Sequence, residues 1–205
     1  DKLVTGVQTC ALPILKTMSE WIAYAKARPG QLNFASGGNW GSSHLCMEML
    51  TKLTGTKMTH VPYANTANAY NDIIGGNVFT YCPAVPGHTA YTSTGRIRPL
   101  AVTYQKPTKL MHGVQPVSDT VPGFELLGWY GMNVPLKTPP AVISRINAEL
   151  VKALKDPALA ERMLTVGADA VGSTPAEFAE FLKKNTQLWT RVLTESGAKL
   201  GQDKP

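Results

Sequence analysis

A parallel α/β fold is what this 205-residue sequence predicts. Between Leu32 and Thr103 one pattern recurs three times: a short apolar strand, a turn rich in small polar residues, then an amphipathic helix. Strands alternating with helices at that spacing build a parallel sheet with right-handed crossovers. The last third of the chain reads as three capped helices whose apolar stripes need a sheet or other helices for cover.

The elements follow in order. Val4 to Ile14 (VTGVQTCALPI) has neither strand alternation nor helix period and resembles the translation of a short-read sequencing adapter. Residues 1–14 are therefore set apart as a non-native segment, and Cys10 leaves the cysteine count. On this reading the gene continues upstream, so missing signal-peptide features say nothing about location. Thr17-Met18-Ser19-Glu20 is a capping box, and the helix it opens carries Trp21, Ile22 and Ala25 before stopping at Pro29-Gly30. The first strand, Leu32 to Ala35, leads through Ser36-Gly37-Gly38-Asn39-Trp40-Gly41-Ser42-Ser43 into a helix from about His44 to Leu53. The second, Met58 to Val61, leads through Pro62 to Thr66 into a helix ending at Gly75-Gly76. The third, Val78 to Tyr81, leads through Cys82-Pro83-Ala84 into a shorter helix to Gly95, and a fourth strand spans Pro99 to Thr103. Lys106 to Gly123 is a surface loop with a short helix near Val117, and Gly128 to Pro135 an extended apolar run. Thr138-Pro139, Asp156-Pro157 and Thr174-Pro175 each read as N-cap then N1, and Glu177 completes a capping box with Thr174. The only strand in this last part is a short one near Ala170-Val171.

Composition narrows the function. The chain is 43% hydrophobic and 17% charged, with no run of eighteen apolar residues to cross a membrane. Its net charge of +6 is scattered, with no basic cluster longer than Lys183-Lys184, which argues against a nucleic-acid surface and favours small anions. Cys10, Cys46 and Cys82 lack metal-binding spacing, as do His44, His60, His88 and His112, so no metal or cofactor is expected. Cys46, beside Leu45 and Leu50 on a helix, reads as a small buried apolar residue.

In parallel sheets ligands bind outside the carboxyl ends of the strands, where helix N-termini present bare N–H groups. All three turns fall at that edge. They offer neutral donors, namely Ser36, Asn39, Ser42, Ser43, Asn65 and Thr66 with main-chain amides, and few acidic groups. Such a set binds carboxylates without reacting with them. Gly41-Ser42-Ser43-His44 suggests a Ser/His nucleophile, but G-x-S-x-G is absent, and Ser42 or Ser43 as a helix N-cap accounts for the hydroxyls. The glycines fit neither G-x-G-x-x-G nor a P-loop.

Several separated motifs carry a family resemblance. Leu32 to Leu50 (LNFASGGNWGSSHLCMEML), His60-Val61-Pro62-Tyr63, Leu100-Ala101-Val102-Thr103, Trp129-Tyr130-Gly131 and Thr138 to Leu154 (TPPAVISRINAELVKAL) resemble the Bug family, the solute receptors of tripartite tricarboxylate transporters. The resemblance runs from about Leu15 to Gly201. It implies a type II periplasmic binding-protein fold, two α/β lobes closing on an organic anion. Residues 15–128 would be the second lobe. Residues 129–205 would be a crossover and helices of the first lobe, the rest of which is missing. It further implies a non-catalytic periplasmic receptor whose partners are a small organic acid and the membrane subunits of the transporter. Carried over by position, the ligand loops are Ser36 to Ser43, Pro62 to Thr66 and Cys82 to Ala84. Within them Ser36, Gly37, Gly38, Asn39, Ser42, Ser43, Tyr63, Asn65, Thr66, Cys82 and Pro83 are the expected ligand contacts. Two positions depart from the family pattern: Cys82 stands where an Asp is common, and Ala64-Asn65-Thr66 where Gly and Ser usually follow the tyrosine. Ligand identity therefore does not transfer. The rival readings are a ligand-sensing regulator domain, which an upstream helix-turn-helix would signal, and a Ser/His α/β hydrolase, which a turnover screen would expose.

Overall fold

The protein was analysed as a computed structural model that describes residues 15–83, 89–93, 95–104, 111, 113–126, 128–165 and 168–196. Residues 1–14, 84–88, 94, 105–110, 112, 127, 166–167 and those after 196 lie outside the described residues. The adapter-like reading, His88, His112 and the helix stop at Gly197 lie there with them. The chain divides into two compact units, one up to Trp129 together with Ala168, the other Tyr130–Thr165 with the residues from Asp169 onward.

The first unit is built on a parallel sheet of β1 (Leu32–Ser36), β2 (Met58–Pro62) and β3 (Thr80–Tyr81) in the order β2-β1-β3. Register sets Phe34 beside His60 and Thr80, and Ser36 beside Pro62. Helices α1 (Met18–Lys26), α2 (Ser42–Thr54), α3 (Thr66–Gly75) and the single turn α4 (Thr89–Thr92) complete it. Successive side chains on a strand point to opposite faces, and β1 shows the consequence. Ala35 packs with Ala69, Tyr70 and Ile73 of α3, and with Val78, Tyr81 and Ile97. Phe34 and Ser36 face the other way, toward His60 and the side covered by α2. Helices thus cover both faces. Fully burying residues such as Ile73 and Phe34 stabilises the fold by roughly 1.5–3 kcal/mol each.

Helix ends follow the sequence in part. The Thr17 hydroxyl accepts from the Glu20 amide, while the Glu20 carboxylate reaches the Lys16 amide rather than that of Thr17. Gly55 and Gly76 close α2 and α3 in the left-handed conformation that glycine adopts most readily.

Four expectations need correction. No strand forms at Pro99 to Thr103. Pro99 has no N–H for a ladder, and Val102 exchanges its main-chain bonds with Gln115 and Val117 instead, as an isolated bridge to Pro116. The N-cap of α2 is Gly41, with Ser42 already helical, because Ser43 turns its hydroxyl to the Gly37 amide. The N-cap of the next long helix is Pro139 rather than Thr138, with Pro140 at N1. Ala170-Val171 is not a strand, and Val171 is exposed.

The second unit holds α5 (Pro140–Leu154), α6 (Pro157–Thr165) and α7 (Pro175–Ser196). The caps of α6 and α7 agree with the sequence. Asp156 accepts from the Leu159 amide at 2.9 Å, and Thr174 and Glu177 make the full capping box. Gly131 is required where it stands, because the Phe178 ring occupies the place a side chain there would take. Among its described residues none is buried, and Met132, Leu136 and Val142 stay exposed.

Candidate functional site

Because β1, β2 and β3 are parallel, the turns after Ser36, Pro62 and Tyr81 leave from one edge of the sheet. The first two are tied together. The Tyr63 amide donates to the Ser36 carbonyl at 2.9 Å, and a Cβ placed on Gly37 would meet Thr66 Cγ2 at 3.8 Å and Ser43 Oγ at 3.9 Å. The N-termini of α2 and α3 therefore converge on Gly37.

Much of the polar set named from the sequence is occupied in building this edge. Ser36 is fully buried; its hydroxyl donates to the Gly38 carbonyl at 3.0 Å and accepts from the Gly38 amide at 3.1 Å. With that proton placed, His60 Nε2, 2.6 Å away, is the donor to Ser36. The Gly37 amide is held by Ser43 Oγ at 2.9 Å, and Asn65 caps α3 by accepting from the Ala67 amide at 2.9 Å. Tyr63 donates its hydroxyl proton to Asp72 Oδ2 at 2.7 Å, so toward a ligand it can only accept. Burial first, then Asp72, push the Tyr63 hydroxyl up to about 12, and the same bond, with Asn77, holds the Asp72 carboxyl below its ordinary range. Among the described residues, the side chains of Asn39, Ser42 and Thr66 keep unpaired donors, all three exposed. The first-turn amides of α2 stand beside them without partners inside the helix, whereas in α3 the Ala67 and Asn68 amides are already taken by the Asn65 side chain and carbonyl.

The sequence makes Cys82 an expected ligand contact and Cys46 plain core. In the fold they form a disulfide across 36 positions, with both residues buried. The Cys82 sulfur is thus unavailable to a ligand. The bridge fastens α2, which carries the first turn, to the end of β3, which carries the third. Pro83 is half-buried, and Ala84 lies outside the described residues.

Beneath the first turn lies a group of residues that sequence reasoning did not assemble. The rings of His44 and His60 stack at 3.8 Å between centroids, 8° from parallel. Phe34 packs against both, and Trp40 lies 4.9 Å from His44. His44 Nδ1 accepts from the Trp40 amide at 3.0 Å, and its Nε2 lies 3.4 Å from Glu48 Oε1. His44 is thus a satisfied first-turn histidine, as its helical position suggests. The one sequence signal for the group is the i,i+4 spacing of His44 and Glu48; nothing local points from either to His60. Among the described residues the Ser–His pair in hydrogen-bond contact is Ser36 with His60, not Ser42 or Ser43 with His44, and Ser36 is sealed from solvent.

His60 holds its proton weakly. Burial first, then the neighbouring His44, lower its pKa from 6.5 to about 4, with Glu48 opposing. Between those values the unfolded chain binds more protons than the folded one, so stability falls as pH drops. The loss should begin near pH 6.5 and saturate below about 4. Urea-unfolding midpoints measured across that window are expected to fall on acidification; a flat or rising profile would contradict a neutral, packed His60.

Comparison with known proteins fixes the family. The model of the tripartite tricarboxylate transporter family receptor matches residues 4–198, a span that takes in part of the segment 1–14. The chain belongs to that receptor family. A Pseudomonas sp. (strain P51) relative, the UPF0065 protein in the tcbD-tcbE intergenic region, is 30% identical over 182 residues, covering 88% of this chain and 54% of that protein. The structure described as R. palustris Rpa4515 with adipate has a TM-score of 0.81 at 25% identity, covering 90% of this chain and 62% of that one. Periplasmic binding protein BugD gives 0.76 at 27% identity, covering 90% and 63%. The chain thus spans about half the length of the Pseudomonas relative and under two thirds of both solved structures. The resemblance to the Bug receptors and the α/β periplasmic-receptor architecture both stand.

Proposed function

We propose that this receptor chain binds a small organic anion at the edge formed by Ser36 to Ser43, Pro62 to Thr66 and Cys82-Pro83, for delivery to a tripartite tricarboxylate transporter. The observation that carries the reading is the convergence of two helix N-termini on Gly37, beside unpaired neutral donors on Asn39, Ser42 and Thr66. Helix N-termini favour negative charge, and bare amides supply directed hydrogen bonds. The adipate described with a relative of the same fold agrees with a carboxylate. Residues 15–128 then act as one ligand-binding lobe, and residues 129–205 as a crossover with helices of the other.

The reading is of binding without turnover. Ser36, the serine paired to a histidine, is buried and its proton is committed to Gly38. A periplasmic location fits the Cys46–Cys82 bridge, since structural disulfides persist in oxidising compartments. Calorimetry with a panel of mono-, di- and tricarboxylic acids tests the proposal. At least one acid is expected to bind unchanged, and Ser42→Ala to weaken it by about 1 kcal/mol, the worth of one neutral hydrogen bond. Hydrolysis of an ester analogue that vanishes in Ser42→Ala would instead favour an enzyme.

A further inference from the structure

We propose that His44, stacked on His60, is a proton-sensitive positioning element, holding the Trp40 end of the turn from Ser36 to Ser43 in its anion-binding shape only while its Nδ1 carries no proton. The inference rests on the binding reading above for its functional consequence, but its geometry stands alone. Each ring holds a different end of the turn. His60 Nε2 contacts Ser36 Oγ at 2.6 Å, at the exit from β1. His44 Nδ1 accepts the Trp40 amide at 3.0 Å, just before α2. Trp40 is the one described non-glycine residue with a left-handed backbone, φ 59°, a conformation costly to any residue with a Cβ. The bond to His44 and the 4.9 Å ring contact are what hold it there.

The hydrogen bonds define the charge state. A ring nitrogen that accepts an N–H carries no proton, so His44 is the neutral Nε2–H tautomer, directed at Glu48. A proton added at Nδ1 would face the Trp40 amide donor to donor and expel it. A proton on His60 would place a positive charge 3.8 Å beneath the His44 ring. Among the described residues, Glu48 on α2 is the charged group facing the pair, and Phe34 and Trp40 cover the rings without titrating. The depressed proton affinity of His60 agrees with a stack built for the neutral state. Acidification therefore releases the Trp40 end of the turn and, with it, the amides offered to the anion, while the Ser36 end keeps the bond that His60 Nε2 donates.

Amide NMR of the unliganded chain tests the geometry without any ligand. On acidification from neutrality toward pH 4, the Trp40 amide should move upfield and lose exchange protection. His44→Asn, whose side-chain oxygen can stand in for Nδ1 and does not titrate, should keep the Trp40 bond throughout. His44→Phe, which keeps an aromatic ring but no acceptor, should lack it at neutral pH. Adipate affinity at a common acidic pH should then be about tenfold weaker in the wild type than in His44→Asn, the equivalent of one lost hydrogen bond. A wild-type Trp40 amide indifferent to pH, or one that titrates equally in His44→Asn, overturns the inference. The wild-type titration decides even where a variant does not fold. Failure of adipate to bind at any pH would count against the binding reading alone, since the Trp40 amide reports on the positioning element separately.

Discussion

Removing the Cys46–Cys82 bridge by Cys46→Ala with Cys82→Ala is expected to destabilise the first unit by about 4 kcal/mol. The magnitude follows from chain entropy. The bridge closes a loop over a sequence separation of 36, and freeing it returns that closure entropy to the unfolded chain. Alanine is the appropriate replacement because both sites are buried and apolar, so little new polar burial confuses the result. The loss should appear in urea unfolding as a lower midpoint, and reductant should lower the wild-type midpoint while leaving the double variant unchanged. The functional consequence follows from which elements the bridge joins. With α2 no longer fastened to the end of β3, the first and third turns lose their fixed spacing. A double variant within about 1 kcal/mol of wild type would show that packing around α2 suffices.

Phe34→Ala should cost about 3–5 kcal/mol, the range for truncating a fully buried aromatic residue. Phe34 lies on the central strand, with ring contacts at 5.0 Å to His60 and 5.9 Å to His44. The cavity would open directly under the histidine stack. Water entering there would remove the burial that keeps His60 neutral, so its proton affinity should return toward the ordinary histidine value. Two measurements are thus coupled: thermal unfolding reports the lost packing, and the His60 titration reports the lost burial. A variant that loses stability while His60 still titrates near pH 4 would mean that His44, rather than burial, depresses it.

The fold was legible where local rules act alone. The parallel order of β1, β2 and β3 follows from the strand–turn–helix repeat, and the caps at Thr17, Asp156 and Thr174 from side-chain oxygens followed by free amides. Pro99 to Thr103 misled because its apolar composition suits a strand, whereas the bonds of Val102 are decided by a distant partner at Gln115 to Val117. The site shows the same division. The glycine turn and its edge of the sheet could be read from the repeat. What each polar residue does there could not, since Ser36 is claimed by His60, 24 positions away, and Tyr63 by Asp72. The disulfide escaped for a related reason: Cys46 and Cys82 come together only once α2 is folded over the sheet beside β3.

On the proposed function, neutral donors at the N-termini of α2 and α3 hold a carboxylate without transforming it. Titrating adipate into the isotopically labelled chain while following the backbone amides tests it most directly. Shifts are expected to concentrate at Gly37 to His44 and Asn65 to Ala67, with the acid recovered intact. Shifts centred instead on Met132, Val142 and Ile146 of the second unit, or none at millimolar acid across a panel of carboxylates, would contradict it.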